Sequence, residues 1–331
     1  MKLTDLTNKY YSLSIIGMCK NAGKTTVLNR LIDELSRDGK QFAITSIGRD
    51  GEGSDLVTGT HKPGIYVPEG TLVATATQML KYCDVTREIL DTTGFSTPLG
   101  EVVIFRARSD GKVQIAGPSL VSQLVVVRDR FRELGADRVM LDGAISRKTL
   151  CSHNVSDATI LCTGASYDRN IDKVVDDTSF ICRLLMLPVL DDARLRYISK
   201  TFDRGCLAID SDGNEITVTD LDKIFREKEI RTVFFGGALS DSMLKPLILS
   251  STSLKNVCFV ANDASKFVMK SDTYRKIKAK GADFAVLNGV NPVAVTINPF
   301  SAYGFHFDKD VFMNKMKENI TLPVVNVEDM R

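Results

Sequence analysis

Short apolar runs alternate with amphipathic stretches along most of the chain, and this alternation predicts strands and helices wound around a mostly parallel sheet. Residues 24–38 carry apolar side chains at helical spacing, and Gly39 follows them as a stop signal. Residues 119–134 show the same spacing and end at Gly135. The strands predicted in the first half of the chain are 13–16, 42–47, 71–74, 102–107, 113–115, 138–141 and 158–161.

Two Asp-Gly pairs interrupt the alternation, and each is a strong signal for a tight turn between antiparallel strands. Residues 102–108 and 112–115 flank Asp110-Gly111, which predicts an inserted β-hairpin beside the sheet. The second pair, Asp212-Gly213, lies between two further apolar runs and predicts another hairpin.

The alternation resumes after residue 231, with strands predicted at 232–235, 256–260, 283–287 and 324–327. A chain of 331 residues is expected to form two domains. We therefore predict a first domain of residues 1–200 and a smaller α/β domain of residues 201–331.

A glycine- and lysine-containing loop joins the first predicted strand to the first predicted helix. A strand before such a loop and a helix after it form the context that a phosphate-binding loop, or P-loop, requires, because backbone N–H groups and the helix N-terminus then surround phosphate oxygens. Lys24 is expected to reach the β- and γ-phosphates, and the Thr25 hydroxyl to ligate Mg²⁺. The residues expected to bind the nucleotide are Lys20, Asn21, Ala22, Gly23, Lys24, Thr25 and Thr26.

The match to the P-loop pattern is incomplete, because the pattern has glycine at the position that Met18 occupies. The alternative is a chance Gly-Lys-Thr at a helix start. A strand, a helix and a second threonine in the expected places favour the P-loop.

A triphosphate site also needs a carboxylate at the end of a neighbouring strand. Asp142 ends the predicted strand 138–141 and is followed by Gly143-Ala144. We predict that Asp142 holds the metal or its water shell, with a structural role in the turn as the alternative.

A glycine-rich acidic loop follows the second predicted strand. Asp50 is the first candidate there for the metal and for catalysis, followed by Glu52 and Asp55. A loop of this kind beside a P-loop is placed to respond to the γ-phosphate, although an ordinary solvent loop has the same composition. Lys24, Asp142 and Asp50 are thus the predicted catalytic residues, and Thr25, Asp142 and Asp50 the predicted metal ligands.

Composition excludes several other classes of protein. The net charge of +2, from 43 basic and 41 acidic residues, provides no general attraction for nucleic acid or an anionic membrane. Seven cysteines and three histidines form no zinc spacing, which favours thiols in a reducing compartment. No apolar stretch near the start is long enough for a signal peptide or a membrane span, so we expect a cytoplasmic protein.

The first strand, the loop 19–26, the following helix and Asp142-Gly143-Ala144 resemble the P-loop class that includes dethiobiotin synthetase and the molybdopterin guanine dinucleotide adaptor. That class implies a P-loop NTPase domain in which an acidic residue ends the strand of the second nucleotide-binding motif, the Walker B motif. The fold expected for the chain is therefore α/β: a P-loop NTPase domain with a mostly parallel sheet and an inserted β-hairpin, followed by a smaller α/β domain. Lys20 resembles the extra loop lysine of one large P-loop class, one place away from its usual position, and a solvated lysine is the alternative.

Residues 17–26, 48–52 and 94–118 together resemble the P-loop subunit of the reactivase encoded beside lysine and ornithine aminomutases. The resemblance implies that ATP and Mg²⁺ are the cofactors. It also implies a companion reactivase subunit and a cobalamin-dependent aminomutase as partners, with ATP hydrolysis releasing damaged cobalamin. Hydrolysis by the isolated protein would then be slow and stimulated by the partner.

Two other functions stay open at this point. One is a small-molecule kinase or ligase that uses ATP, and the other is a nucleotide-binding adaptor with negligible turnover. ATP is favoured over GTP because the strand 158–161 continues into Cys162-Thr163-Gly164 instead of the Asn-Lys-x-Asp motif of guanine-specific proteins.

Overall fold

The computed structural model describes residues 2–47, 64–144 and 155–330. The chain divides into two compact units. Unit 1 combines Met1–Ser179 with Asn291–Arg331, and unit 2 is Phe180–Val290. Unit 2 is therefore inserted into the sequence of unit 1.

Unit 1 contains a nine-stranded sheet in the order β18-β17-β9-β1-β8-β2-β4-β6-β5. The strands from β18 to β4 all run parallel to their neighbours, whereas β6 is antiparallel to both β4 and β5. The strands of unit 1 are β1 (Ser12–Gly17), β2 (Phe42–Ser46), β3 (Ile65–Val67), β4 (Leu72–Ala76), β5 (Arg87–Thr97), β6 (Gly100–Ala107), β7 (Gly111–Val113), β8 (Arg138–Ala144), β9 (Ala158–Gly164), β17 (Pro292–Asn298) and β18 (Val324–Asn326).

Helices cover both faces of this sheet. Successive side chains of a strand point to opposite faces, and apolar side chains on both faces pack against helices. In β2, Phe42 and Ile44 pack with apolar residues of α2, and the intervening Ala43 packs with those of α3. The helices of unit 1 are α1 (Leu3–Thr7), α2 (Lys24–Arg37), α3 (Val121–Glu133), the first part of α4 (Ile171–Leu185) and α9 (Lys309–Asn319). The bounds of α2 and α3 confirm the two helices predicted in the first half of the chain.

The antiparallel hairpin of the sheet is not the one predicted at Asp110-Gly111. That prediction is wrong, because β6 pairs with β4 and β5, while Gly111 begins β7, which pairs with β3. Asp110 accepts a hydrogen bond from the backbone N–H of Glu69 (2.7 Å), so it fixes a loop rather than a turn between paired strands. The actual hairpin joins β5 to β6 through Pro98-Leu99.

Unit 2 contains a smaller mixed sheet in the order β11-β10-β12-β14-β16 and a short pair, β13-β15. The predicted hairpin at Asp212-Gly213 is confirmed, since it joins the antiparallel β10 and β11. Phe235, Phe259 and Phe284 from three strands pack in the core in edge-on and tilted arrangements, with the ring centroids of successive pairs 5.8 and 5.6 Å apart. The elements of unit 2 are α5 (Ala193–Thr201), β10 (Cys206–Asp210), β11 (Glu215–Val218), α6 (Leu221–Glu227), β12 (Ile230–Phe235), β13 (Leu239–Ser240), α7 (Asp241–Leu249), β14 (Cys258–Ala261), β15 (Phe267–Val268), α8 (Ser271–Ala279) and β16 (Asp283–Val286).

The division observed differs from the predicted boundary at residue 200. The chain leaves unit 1 within α4, and it returns through β17, which pairs with β9 beside the central strand β1. The apolar run of β17 is not among the strands predicted from the sequence, so the predicted boundary omits this return. Across the three described ranges, no helix is both long and apolar enough to span a membrane.

Candidate functional site

The predicted phosphate-binding loop lies between β1 and α2, at the carboxyl edge of the parallel strands. Strand β1 is buried along its whole length, and the backbone N–H of Met18 donates to the carbonyl of Cys162 on β9 (2.8 Å). Asn21 and Gly23 both adopt left-handed backbone conformations, with φ of +61° and +92°. Such turns, together with the first N–H groups of α2, direct backbone donors towards one side of the loop.

Gly23 is the residue that precedes α2, and its position is closely packed. A Cβ atom there would lie 3.3 Å from Cγ1 of Val327 and 3.6 Å from Cβ of Asn298. A side chain would therefore meet both the left-handed backbone and these neighbours. The geometry explains the Gly-Lys pair that the sequence shows at this position.

Lys24 is the first residue of α2, and its side chain folds back over the loop. A Cβ atom on Gly17 would lie 3.0 Å from Cγ and Cδ of Lys24 and 3.1 Å from its Nζ. Burial raises the pKa of the nearby Cys19 thiol to about 11, and the charge of Lys24 opposes this rise. The Lys24 side chain therefore lies along the loop, and the residue as a whole is only partly exposed.

Asp142 lies on β8, next to β1. In the register of the sheet it is opposite Ile15 of β1 and Ser46 of β2, and its carbonyl accepts a hydrogen bond from the N–H of Ile47 (3.3 Å). The strand continues to Ala144, three residues further than predicted. Asp142 is thus paired with a residue two positions before the end of β1, where the loop begins.

The charges of Lys24 and Asp142 act on the same buried thiol. Burial raises the pKa of Cys162 to about 12; Lys24 lowers this pKa and Asp142 raises it. Both charged groups are therefore within electrostatic range of Cys162, and the structure brings them to the same end of neighbouring strands. The pairing of this lysine and this carboxylate at one ligand stays a prediction.

The other predicted residues fall into two groups. Ala22 is buried, Thr25 and Thr26 in the first turn of α2 are partly exposed, and Lys20 is exposed on the loop. Asp50, with Glu52 and Asp55, lies outside the described residues.

A hydroxyl and a carboxylate suit Mg²⁺, which prefers oxygen ligands and keeps several waters. Thr25 is the second residue of α2, and Asp142 lies on the strand next to β1, so these two donors fit such an ion bound together with phosphate oxygens. In residues 2–47, 64–144 and 155–330, no group of three or more His, Cys, Asp or Glu side chains is arranged to hold a metal ion. The protein ligands in this part of the chain therefore suit an ion shared with a ligand better than a closed protein cage.

Sequence reasoning missed the contribution of β17 to the loop. The side chain of Asn298, the last residue of β17, donates from Nδ2 to the carbonyl of Asn21 (3.4 Å). The carbonyl of Asn298 accepts from the N–H of Ala165 (2.9 Å). The signal was present as an apolar run between Asn-Pro pairs, at residues 291–292 and 298–299.

A cavity of about 450 Å³ is lined in part by residues that directly follow β17 in the sequence. The rings of Phe300 and His306 lie at its wall with centroids 5.9 Å apart and an angle of 30° between their planes. Asp308 accepts hydrogen bonds from the first N–H groups of α9, and Lys309 forms an ion pair with Asp329. The lining residues are Pro299, Phe300, His306, Phe307, Asp308, Lys309 and Asp329.

Two residues that contact the β1–α2 loop lie close to cavity-lining residues in the sequence. Asn298, which contacts Asn21, precedes Pro299, and Val327, which packs beside Gly23, is two residues from Asp329. The site therefore combines a loop with backbone donors, a lysine, a carboxylate on the adjacent strand and an aromatic cavity.

Comparison with known proteins adds no assignment to this geometry. No protein-family model matches the chain, and no curated protein matches it.

Proposed function

We propose that this protein binds Mg-ATP at the β1–α2 loop and hydrolyses it, and that its first unit is a P-loop NTPase domain. The observation that carries the proposal is the side chain of Lys24 folded over Gly17, in a loop that opens a helix beside Asp142. Backbone donors and a lysine at a helix N-terminus are suited to a triphosphate. ATP is the proposed nucleotide and Mg²⁺ the proposed metal.

Each residue of the site has a role in this proposal. Lys24 neutralises charge on the β- and γ-phosphates, and the N–H groups of residues 20–26 orient them. Thr25 and Asp142 hold Mg²⁺, which when bound neutralises charge that develops on the transferred phosphoryl group. Asp50 remains a proposed third contributor from outside the described residues.

The aromatic cavity supports the proposal because it offers a place for the base of the nucleotide. Its ring-lined wall suits a flat base, and its lining begins at Pro299, directly after Asn298, whose side chain contacts the loop that would hold the phosphates. A nucleotide extending from Lys24 to Phe300 would use both features.

We further propose that hydrolysis drives a conformational change on a protein partner. The resemblance of residues 17–26, 48–52 and 94–118 to a reactivase subunit supports a cobalamin-dependent aminomutase as this partner, with a companion reactivase subunit. A nucleotide acts on a partner only if it binds two states of the protein with different affinity. Slow hydrolysis that accelerates with the partner is the expected signature.

The test is a reactivation assay. An aminomutase inactivated by damaged cobalamin is mixed with this protein, the companion subunit, intact cobalamin and Mg-ATP, and recovered activity is measured. We expect recovery to require ATP and to be lost with Lys24→Ala. Lys40→Ala, an exposed lysine after α2, is the matched control and should recover fully.

Two results would contradict parts of this proposal separately. Equal affinity of wild type and Lys24→Ala for Mg-ATP in calorimetry would remove the β1–α2 loop from the nucleotide site. Recovery without ATP would leave nucleotide binding in place and remove its role in reactivation.

A further inference from the structure

Residues 114–117, here called the crossing segment, connect β7 to the start of α3 across the carboxyl ends of two strands. The N–H of Ala76, at the end of β4, donates to the carbonyl of Ala116 (2.8 Å). The N–H of Ala116 donates to Oγ1 of Thr75 (2.9 Å). The N–H of Gly117 donates to Oγ of Ser46, at the end of β2 (3.2 Å). The crossing segment is thus tied to both strands.

The contact with β2 leaves no space between the two backbones. A Cβ atom on Gly117 would lie 2.0 Å from the carbonyl oxygen of Ser46 and 2.5 Å from Oγ1 of Thr45. Ser46 is opposite Asp142 in the sheet, and the next residue, Ile47, donates to the carbonyl of Asp142. A displacement of the end of β2 beside Asp142 must therefore displace Gly117 as well.

The other side of the crossing segment packs against the turn of the β5–β6 hairpin. Ala116 forms a small apolar cluster with Ala76 and Met79, and Leu99 of the turn packs against it. The carbonyl of Leu99 accepts from the N–H of Gln78 (3.0 Å). A Cβ atom on Gly100 would lie 2.1 Å from Oγ1 of Thr77, so the turn is held closely against this cluster.

We infer that the crossing segment couples the ligand site beside Asp142 to the β5–β6 turn, so that nucleotide binding changes the stability of that turn. The inference rests on the proposed function, since it assigns a readout to the same nucleotide site. Packed backbones transmit a displacement because they cannot be compressed. A protein that docks on the turn would therefore sense the state of the nucleotide, and by linkage would alter its affinity.

The test is hydrogen–deuterium exchange of the full chain with and without Mg-AMP-PNP, read by mass spectrometry. Peptides covering residues 76–80 and 97–101 report on the cluster and the turn. In wild type we expect nucleotide to slow exchange in both peptides by about threefold or more. The affinity for AMP-PNP is measured in parallel by calorimetry.

Two leucines of the hairpin provide a matched pair of variants. Leu99→Ala removes the contact with Ala116 and should abolish the response in residues 76–80, with AMP-PNP affinity within about twofold of wild type. Leu90→Ala truncates the same side-chain type on β5, where it packs against the cluster beneath α3, and should keep the response. Ser46→Ala removes the acceptor for Gly117 from the other end and should weaken the response.

The outcomes separate the coupling from the proposed function. Binding of AMP-PNP without any change in the two peptides would overturn the coupling alone. A full response in both Leu99→Ala and Ser46→Ala would also overturn it. Absence of AMP-PNP binding by wild type would contradict the proposed function and the coupling together.

Discussion

At the scale of single residues, Gly23 is placed where backbone conformation and packing act together. Its φ of +92° costs an alanine about 1–2 kcal/mol. Gly39 has a similar φ of +66° but no atom within 4 Å of a Cβ, and it lies at the far end of α2. Substituting each glycine in turn therefore distinguishes the energetic cost of a left-handed backbone from an effect on the β1–α2 loop.

We expect Gly39→Ala to lower the free energy of unfolding by about 1–2 kcal/mol, because it forces a left-handed alanine. Gly23→Ala should lower it by at least that amount, because its Cβ would also press against Val327. Only Gly23→Ala should weaken Mg-ATP binding, by about tenfold or more, since the loop N–H groups must move. Urea unfolding and calorimetry measure the two effects. Equal nucleotide affinity in both variants would show that the loop does not hold the phosphates.

Asp142 allows a test of charge without a change of shape. Asp142→Asn should reduce ATP turnover on the order of a hundredfold, the scale of one electrostatic contact to a transition state, while the nucleotide still binds. Asp137→Asn is the control, because Asp137 lies just before the amino end of the same strand and accepts from the N–H of Gln41 (3.0 Å). Steady-state hydrolysis is the measurement, and unchanged turnover in Asp142→Asn would return Asp142 to a structural role.

At the scale of secondary structure elements, β17 supports the loop through its last residue. Asn298→Ala removes the hydrogen bond to Asn21, a loss of about 1 kcal/mol, and should weaken Mg-ATP binding about fivefold. Asn291 precedes the amino end of β17 and donates to the carbonyl of Asp157 (2.9 Å). Asn291→Ala should therefore reduce stability without changing affinity, which thermal unfolding and calorimetry can distinguish. An equal loss of affinity in both would indicate a general effect on the sheet.

The same element shows what the sequence could and could not predict. The buried strands β1, β2, β8 and β9 were found because they are continuous apolar runs, and α2 because its apolar face has helical spacing. Strand β5 is absent from the predicted strands because it is an edge strand, with polar and glycine residues along its exposed positions. Pairing partners are distant in sequence, so the contact of Asn298 with Asn21 had no local signal.

The candidate site was predictable to a similar extent. Lys24, Thr25 and Asp142 follow from a strand–loop–helix pattern and from an acidic residue after an apolar strand, both of which are local. The aromatic cavity depends on Phe300 and Asp329, which approach only after β17 and β18 have joined the sheet. Local patterns therefore predict the residues of the proposed phosphate end of the site, and long-range topology determines the rest.

At the scale of the whole molecule, unit 1 is assembled from two separate stretches of chain. A chain that ends at Val290 contains every residue of the predicted P-loop, yet it lacks β17, Asn298 and Val327. We expect this shortened chain to bind Mg-ATP at least about tenfold more weakly than the full chain, because Gly23 and Asn21 lose these contacts and β9 loses its outer partner. Calorimetry beside the full chain and Lys24→Ala tests this. Full affinity in the shortened chain would show that the loop is complete without β17.

The return of the chain to unit 1 also has a consequence for biosynthesis. A ribosome makes the β1–α2 loop early, but more than 250 residues separate Gly23 from the strand that supports it. Domains generally fold in the order in which they are synthesised. Here unit 2 lies wholly within that interval and can fold first, whereas the sheet of unit 1 waits for β17 and β18. The proposed nucleotide site would therefore mature only when translation is nearly finished, and a prematurely terminated chain would carry the whole loop sequence without the contacts that β17 provides.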